Sequence, residues 1–311
     1  MNTKTRMAWL LALVSLLGSA PLSARPLRVM TYNIRSGSGT QNTHLFGLKF
    51  FYGHGDKYLD RIADKAKALD VDVLCMEEVQ GRSLRSEGYD QTGHIAERMG
   101  LKYHFWAEAT SGGWIANRQG NCIISRFPIV ETRRVVLNKA SGNVEQRIAV
   151  VARIAYPDAG PQGTWVVCTH LYQRTDDGLR QKELQVLSEA LKGCEGPMIV
   201  AGDFNADPGS RSIRGVQDGT LGRPLFDALA DAGNGAKLTS DSLHPTRRID
   251  YVFHDASFKT DSAFVPTKEP EDSDHLPVFV VLSVKVTAAA PAATASAPRV
   301  ETGPDFTGLN Q

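Results

Sequence analysis

The sequence predicts an α/β fold in which two β-sheets pack face to face with helices outside. Short β-rich apolar runs recur along most of the chain and outnumber the helical segments. The clearest helical segments carry their apolar residues on one stripe, so each buries one face against a sheet. The composition is that of a globular protein, with 42% hydrophobic and 22% charged residues, which supplies enough apolar surface to offset the entropy of ordering. The 28 glycines and 15 prolines follow no fixed period, so collagen-like and coiled-coil classes are excluded.

The first strand is predicted over residues 27–34, which alternate and are rich in β-formers. Leu59, Ile62, Ala66 and Leu69 then recur at helical spacing, and residues 71–79 read as a strand buried on both faces. A helix follows over 91–99, then strands near 103–106, 121–125, 130–137, 147–155 and 164–171. Leu184, Leu187 and Leu191 step by three and four and share one face of a helix over 179–191. A buried strand over 197–203, a helix over 225–232, and strands over 249–253 and 277–286 complete the domain.

The two ends read differently. Lys4 and Arg6 precede an apolar run over 7–18, and Leu22-Ser23-Ala24 is an acceptable cleavage site, so residues 1–24 are expected to be a secretory signal. A retained N-terminal anchor is the alternative, although the run is short for a span of about 20 residues. Cleavage removes two positive charges, taking the formal charge from +1 to 1 − 2 = −1. The mature protein is then expected outside the cytoplasm, periplasmic or secreted, as a monomer with no transmembrane segment. Residues 287–311 begin in Ala, Pro, Thr and Ser and read as a tail, leaving one domain over 25–286. Cys75, Cys122 and Cys168 lie within apolar runs and, with Cys194, are expected as free thiols.

The chemistry gathers where apolar strands stop. Asn33, Glu78, His170, Asp203 and Asn205 each end or follow such a run, and a buried strand that stops in a carboxylate must present it to a cleft or a cation. Ile199-Val200-Ala201-Gly202-Asp203-Phe204-Asn205 is the sharpest signal: Asp203 and Asn205, two apart on an extended segment, point to the same side. A carboxylate and an amide so placed can hold a water and face a hard cation; an Asx turn closing a strand is the structural alternative. In Asp274-His275-Leu276-Pro277 an imidazole can move protons near neutral pH, with Asp250 as a candidate to fix its tautomer. Glu77 and Glu78 are adjacent on a strand, so only one of them can join the cleft.

Taken together and in this order, these residues resemble the endonuclease/exonuclease/phosphatase superfamily, the DNase I-like group, over residues 27–282. The resemblance implies a four-layer α/β/β/α sandwich of two mixed sheets and hydrolysis of a phosphoester by in-line attack of an activated water. It implies that Glu78 binds a divalent metal, Mg²⁺ with Mn²⁺ or Ca²⁺ as alternatives, with Asn33 beside it and Asp274 as a further metal-side carboxylate. By the same resemblance Asp203 deprotonates the water, Asn205 holds the phosphate or that water, and His275, oriented by Asp250, stands next to the scissile phosphate. His170 is similar to the second histidine of the deoxyribonuclease and sphingomyelinase branches, and Arg147 matches a family arginine near the phosphate. Two positions depart from the pattern. Glu77 stands where Gln is usual, adding negative charge if it faces inward, and Arg35 replaces an acid of the abasic-site branch, offering a phosphate contact.

The near-neutral mature charge lacks the basic excess that marks strong binding to duplex DNA. Arg133, Arg134, Arg211, Arg214, Arg247 and Arg248 are candidates for a local basic patch, or for an ordinary solvated surface. The large apolar residues of 45–52 suggest a lid, a pocket wall or a membrane-touching rim, or else a loop packed on its own core. The expected partner is a phosphoester: a lipid head group or small phosphodiester first, nucleic acid second. A member that binds a phosphorylated partner without catalysis is the third reading.

Overall fold

The structure is a computed structural model that describes residues 25–40, 55–83, 86, 88–111, 118–141, 145–175 and 177–285. The expected signal segment, the tail and the apolar stretch 45–52 lie outside the described residues.

In chain order the elements are β1 (Leu27–Asn33), α1 (Gly55–Ala68), β2 (Val73–Gln80), α2 (Gln91–Met99), β3 (Tyr103–Ser111), β4 (Arg118–Ser125), β5 (Ile129–Val136) and β6 (Ile148–Ile154). Then come β7 (Thr164–His170), α3 (Asp177–Ala190), β8 (Met198–Asp203), α4 (Arg211–Asp218), β9 (Phe226–Asp227), α5 (Ala228–Asp231), β10 (Asp250–His254), β11 (Phe258–Phe264) and β12 (Val278–Val284). They form two six-stranded sheets, ordered β11-β12-β1-β2-β4-β3 and β5-β6-β7-β8-β10-β9. Both are mixed: β1 runs parallel to β2 and β7 parallel to β8, with the other pairings antiparallel.

The period of two decides which side chains face which layer. Val29, Cys75 and Ile123 of the first sheet meet Val150, Cys168, Ala201 and Val252 of the second between the sheets. Their neighbours Met30, Leu74 and Ile124 turn outward onto Ile62 and Ala66 of α1 and Ile95 of α2. On the opposite outer face Val151, Val167 and Val200 meet Leu184 and Leu187 of α3 and Ile213 and Val216 of α4. Three apolar layers thus separate four structural ones, the α/β/β/α sandwich expected. The central strands are covered on both faces, which is why they read as continuous apolar runs. All four cysteines are buried and unbridged.

Three elements differ from expectation. The helix expected over 225–232 is only the single turn α5. Asp227 stays extended in β9, pairs with the buried Arg248 guanidinium, and accepts from the Leu229 and Ala230 amides, so the helix cannot begin before it. Helix α4 escapes a periodicity search because only Ile213 and Val216 supply its buried apolar contact; Ser210 caps it by accepting from the Ile213 amide. Strand β11 is a sheet edge with mostly exposed residues, so it shows no apolar run.

Candidate active site

Topology brings the polar strand ends to one edge of the sandwich. Asn33 ends β1, which runs parallel to β2 and lies in register with Glu77. His170 ends β7 and Asp203 ends β8, in register across a parallel pair. Strand β10 runs antiparallel to β8, so it begins at the same edge, with Asp250 opposite Asp203. Strand β12 likewise begins there, and His275 lies just before it. Gly202 permits the approach of β8 to β7: its φ is +141°, and a Cβ there would lie 1.9 Å from the Thr169 carbonyl oxygen. The close neighbour of that glycine is therefore protein backbone.

Asp203 is the centre of the cluster. Its carboxylate accepts from the Asn205 amide at 2.9 Å and from Asn33 Nδ2 at 3.1 Å. His170 Nε2 lies 3.4 Å and His275 Nε2 3.8 Å from Asp203 Oδ2. Burial pushes the Asp203 pKa up to about 7; His275 opposes the rise and Asp250 adds to it. A carboxylate poised near neutrality can take a proton from water and release it again.

The two histidines flanking it are in opposite states. His275 Nδ1 lies 3.1 and 3.0 Å from the two Asp250 oxygens. Burial alone would lower the His275 pKa, but the Asp250 and Asp203 carboxylates outweigh it and hold the ring well above the ordinary value. His275 is thus an imidazolium at neutral pH. His170 Nδ1 faces Arg147 Nη1 at 3.3 Å, and a guanidinium can only donate, so Nδ1 is the acceptor and the ring proton sits on Nε2, toward Asp203. Burial, with Arg147 and His275 nearby, pushes the His170 pKa well down and keeps the ring neutral. Arg147, whose guanidinium also bonds Gln173 and Glu145, fixes this tautomer.

Glu78 stands on the other side of Asn33. The register between β2 and β4 shifts between Met76 and Val79, so Glu77 and Glu78 together oppose Asn121. Glu78 takes a left-handed φ of 56°, and its Oε1 accepts from Asn33 Nδ2 at 3.3 Å. Asn205 has a left-handed φ of 50°, so the extended segment expected through it stops at Asp203. Its amide closes an Asx turn on Asp203 Oδ1, the alternative considered from sequence, and its Nδ2 donates to the Leu171 carbonyl at 3.0 Å. Asn33 Oδ1 accepts from the Arg35 amide at 3.1 Å, and the Arg35 guanidinium lies 3.4 Å from the half-exposed Asp274 carboxylate. The sequence-predicted residues therefore form one connected cluster, with Arg35 and Asp274 paired at its rim.

Glu77 resolves one departure from the family pattern. It faces inward, fully buried, and its Oε1 accepts from Thr31 Oγ1 and Cys168 Sγ, each at 3.1 Å. Burial, opposed by the Cys168 contact and reinforced by Asp250 and Asp203, pushes its pKa up to about 8. At neutral pH it is an uncharged acid of nearly the shape of glutamine, so the extra negative charge expected there is absent. Its folded pKa lies above the ordinary 4.5, so the folded state binds more proton, and stability falls as pH rises from about 4.5 through 8. Glu77→Gln is expected to stabilise the metal-free protein at pH 9 by about 5 kcal/mol and to change little at pH 4. Urea denaturation at both pH values checks this; equal effects at the two would contradict it.

Glu78, Asn33 and Asp274 offer only oxygen donors, two of them carboxylates, a set that fits a hard divalent cation. Asp203, Asp250 and His275 also bring one donor atom each within 4.8 Å of one another. In that trio His275 Nδ1 already faces both Asp250 oxygens, so a cation there would compete with that pairing.

Four of the six arginines considered for a basic patch are committed to partners: Arg133 pairs with Glu131, Arg134 bonds the Glu108 carbonyl, Arg247 pairs with Asp207, and Arg248 is buried on Asp227. Arg211 is exposed and 4.0 Å from Asp177, and with Arg214 it lies on α4. No helix among the described residues is long and apolar enough to cross a membrane. One residue at this edge was missed by sequence reasoning: Gln119, at the start of β4, bonds Glu78 Oε2 at 3.0 Å. It belongs to no apolar-strand end and carries no titratable group, so nothing in the sequence singles it out.

Known proteins share both sequence and fold with this chain. A model of the Endonuclease/Exonuclease/phosphatase family matches residues 30–275. Nocturnin of Xenopus laevis is 25% identical over 287 residues, covering 84% of this chain and 71% of that protein. Human nocturnin is 26% identical over 210 residues, covering 63% of this chain and 46% of that protein. The mannosyl-6-phosphatase of Bacteroides thetaiotaomicron has a TM-score of 0.62 at 21% identity, covering 82% of this chain and 99% of that one. ANGEL2, a 2′,3′-cyclic phosphatase solved with adenosine-2′,3′-vanadate, has a TM-score of 0.65 at 17% identity, covering 85% and 97% of the two chains. With the sandwich, the strand-end cluster and a family match over most of its length, this chain belongs to the endonuclease/exonuclease/phosphatase family, a family of phosphoester hydrolases.

Proposed function

We propose that the protein is an exported, divalent-metal-dependent phosphodiesterase acting on a lipid head group or a small phosphodiester. The observation that carries the chemistry is a base and an acid in one cluster: Asp203 poised near neutrality between the His275 imidazolium and the neutral His170. Asp203 takes the proton of the attacking water as its oxygen bonds phosphorus, while Asn205 helps hold that water. The P–O bond to the leaving group breaks opposite. His275, held by Asp250, neutralises charge gathering on a phosphoryl oxygen, His170 donates Nε2–H to the same phosphate, and the departing alkoxide takes its proton from solvent water. Arg147 keeps His170 in the donating tautomer, and Arg35 adds a phosphate contact at the rim. Glu78, Asn33 and Asp274 would hold Mg²⁺, which when bound polarises a phosphoryl oxygen and offsets developing negative charge.

The substrate class is supported by charge. The near-neutral chain, with Arg133, Arg247 and Arg248 each paired to an acid, offers little for a long polyanion. The basic start and apolar run of residues 1–24 support export.

The purified mature chain should hydrolyse an aryl phosphodiester or sphingomyelin-type vesicles with Mg²⁺ and lose that activity in EDTA, with recovery on adding Mg²⁺ back. The same panel should include inositol phosphate, RNA and plasmid DNA. Plasmid degradation at lower enzyme concentration than any other hydrolysis would favour a secreted nuclease. Full activity in EDTA would overturn the metal-dependent reading.

A further inference from the structure

Gln119 lies in register with Gln80 across the β2–β4 pairing, at the edge where Glu78 leaves the sheet. Its Nε2 donates to Glu78 Oε2 at 3.0 Å and to Ser36 Oγ at 3.2 Å, which uses both amide hydrogens. Glu78 Oε1 takes its own hydrogen bond from Asn33. Each carboxylate oxygen thus has one protein donor, and the group is fixed in rotation while lone pairs remain for a cation.

The anchor for Gln119 is itself unusual. Arg35, Ser36 and Gly37 all have positive φ, at 45°, 58° and 68°. Two of these are not glycine, so the turn persists only because its surroundings hold it. Gln80 Nε2 donates to Ser36 Oγ at 2.9 Å, and Gln91 Nε2 donates to the Ser36 carbonyl at 2.7 Å. Gln91 Oε1 in turn accepts from the Gln80 amide at 2.8 Å. Ser36, Gln80 and Gln91 are at most 2% exposed, so this amide network is buried and screened little by solvent. Gln119 is its outward-reaching member, and what it reaches is Glu78.

We propose that Gln119 is a positioning residue for the metal site: its side-chain amide fixes the Glu78 carboxylate against the Ser36 anchor and so sets the affinity for the divalent ion. The proposal rests on Glu78 being the metal ligand. A donor that orients a ligating carboxylate is worth about 10–100-fold in metal affinity, and its loss acts on metal binding before it acts on turnover. A glutamine that merely filled space would move neither.

The test uses the full mature chain and Mn²⁺ binding by calorimetry, alongside turnover of an aryl phosphodiester across a Mg²⁺ series. Gln119→Met keeps the length of the side chain and removes the donor. It is expected to weaken Mn²⁺ binding about 10–100-fold and to shift the Mg²⁺ activation curve by the same factor, while kcat at saturating metal stays close to wild type. Gln119→Ala is expected to do the same, should the thioether repack. Unchanged Mn²⁺ affinity in a folded variant would overturn the proposal. So would a loss of kcat that saturating metal does not restore, since Gln119 would then be acting on substrate. Glu78→Gln is measured beside them. If it binds Mn²⁺ as tightly as wild type, the proposal falls through Glu78, and the reading of the metal site falls with it.

Discussion

Asp203→Asn is expected to lower turnover about a thousandfold while leaving the fold intact. A positioned general base contributes about 10²–10⁴ in rate, and this substitution removes the base while conserving size. The amide can still accept from the Asn205 backbone as the carboxylate does, so the strand end should keep its conformation. Far-UV circular dichroism and the melting temperature check folding; kcat on the substrate identified by the panel checks the chemistry. The pH profile provides a second reading of the same group. Burial raises Asp203 to about 7, so below that pH it is protonated and cannot accept a proton. The wild-type rate should therefore rise with pH through about 7, and the variant should lose that limb. Near-wild-type turnover would remove Asp203 from its role.

His275→Ala is expected to cost about a hundred- to a thousandfold in kcat, or about 3–4 kcal/mol of barrier, the usual loss when one transition-state donor is removed. Unlike Asp203→Asn, it should also lower stability. The raised pKa of His275 means that its pairing stabilises the fold fully below the ordinary value near 6.5 and is lost as pH rises through the higher folded value. Removing the ring leaves the buried Asp250 carboxylate without its imidazolium. The two effects separate cleanly, because stability is read by urea denaturation and chemistry by kcat of the folded fraction. Asp250→Asn should act in the same direction by loosening the ring. A folded His275→Ala protein with kcat within about tenfold of wild type would exclude the imidazolium from the reaction.

The fold and the site were legible in the sequence to different degrees, for identifiable reasons. Asn33, His170 and Asp203 each close an apolar strand buried on both faces, so their side chains can only emerge at the sheet edge. The parallel pairs β1–β2 and β7–β8 then force those ends together. Asp250 and His275 were readable as partners because an imidazole that handles protons needs a carboxylate, and both flank strand starts. The protonated state of Glu77 was not readable, because it depends on burial between the sheets beside Asp250 and Asp203, which only the three-dimensional packing fixes. The Arg147–His170 contact and the Gln119–Glu78 bond join residues 23 and 41 positions apart and follow no spacing rule. Strand β11 and helix α4 were missed because each buries too few apolar residues to show a period, and the helix expected over 225–232 was too long because Asp227 is spent as cap and ion-pair partner.

Crystals soaked in Mn²⁺ and measured at the manganese absorption edge place the ion without reference to activity. An anomalous peak about 2.1 Å from a Glu78 carboxylate oxygen, with the Asp203, Asp250 and His275 cluster free of ion, is the predicted result. A peak inside that cluster, or none in crystals of protein that hydrolyses its substrate, would contradict it.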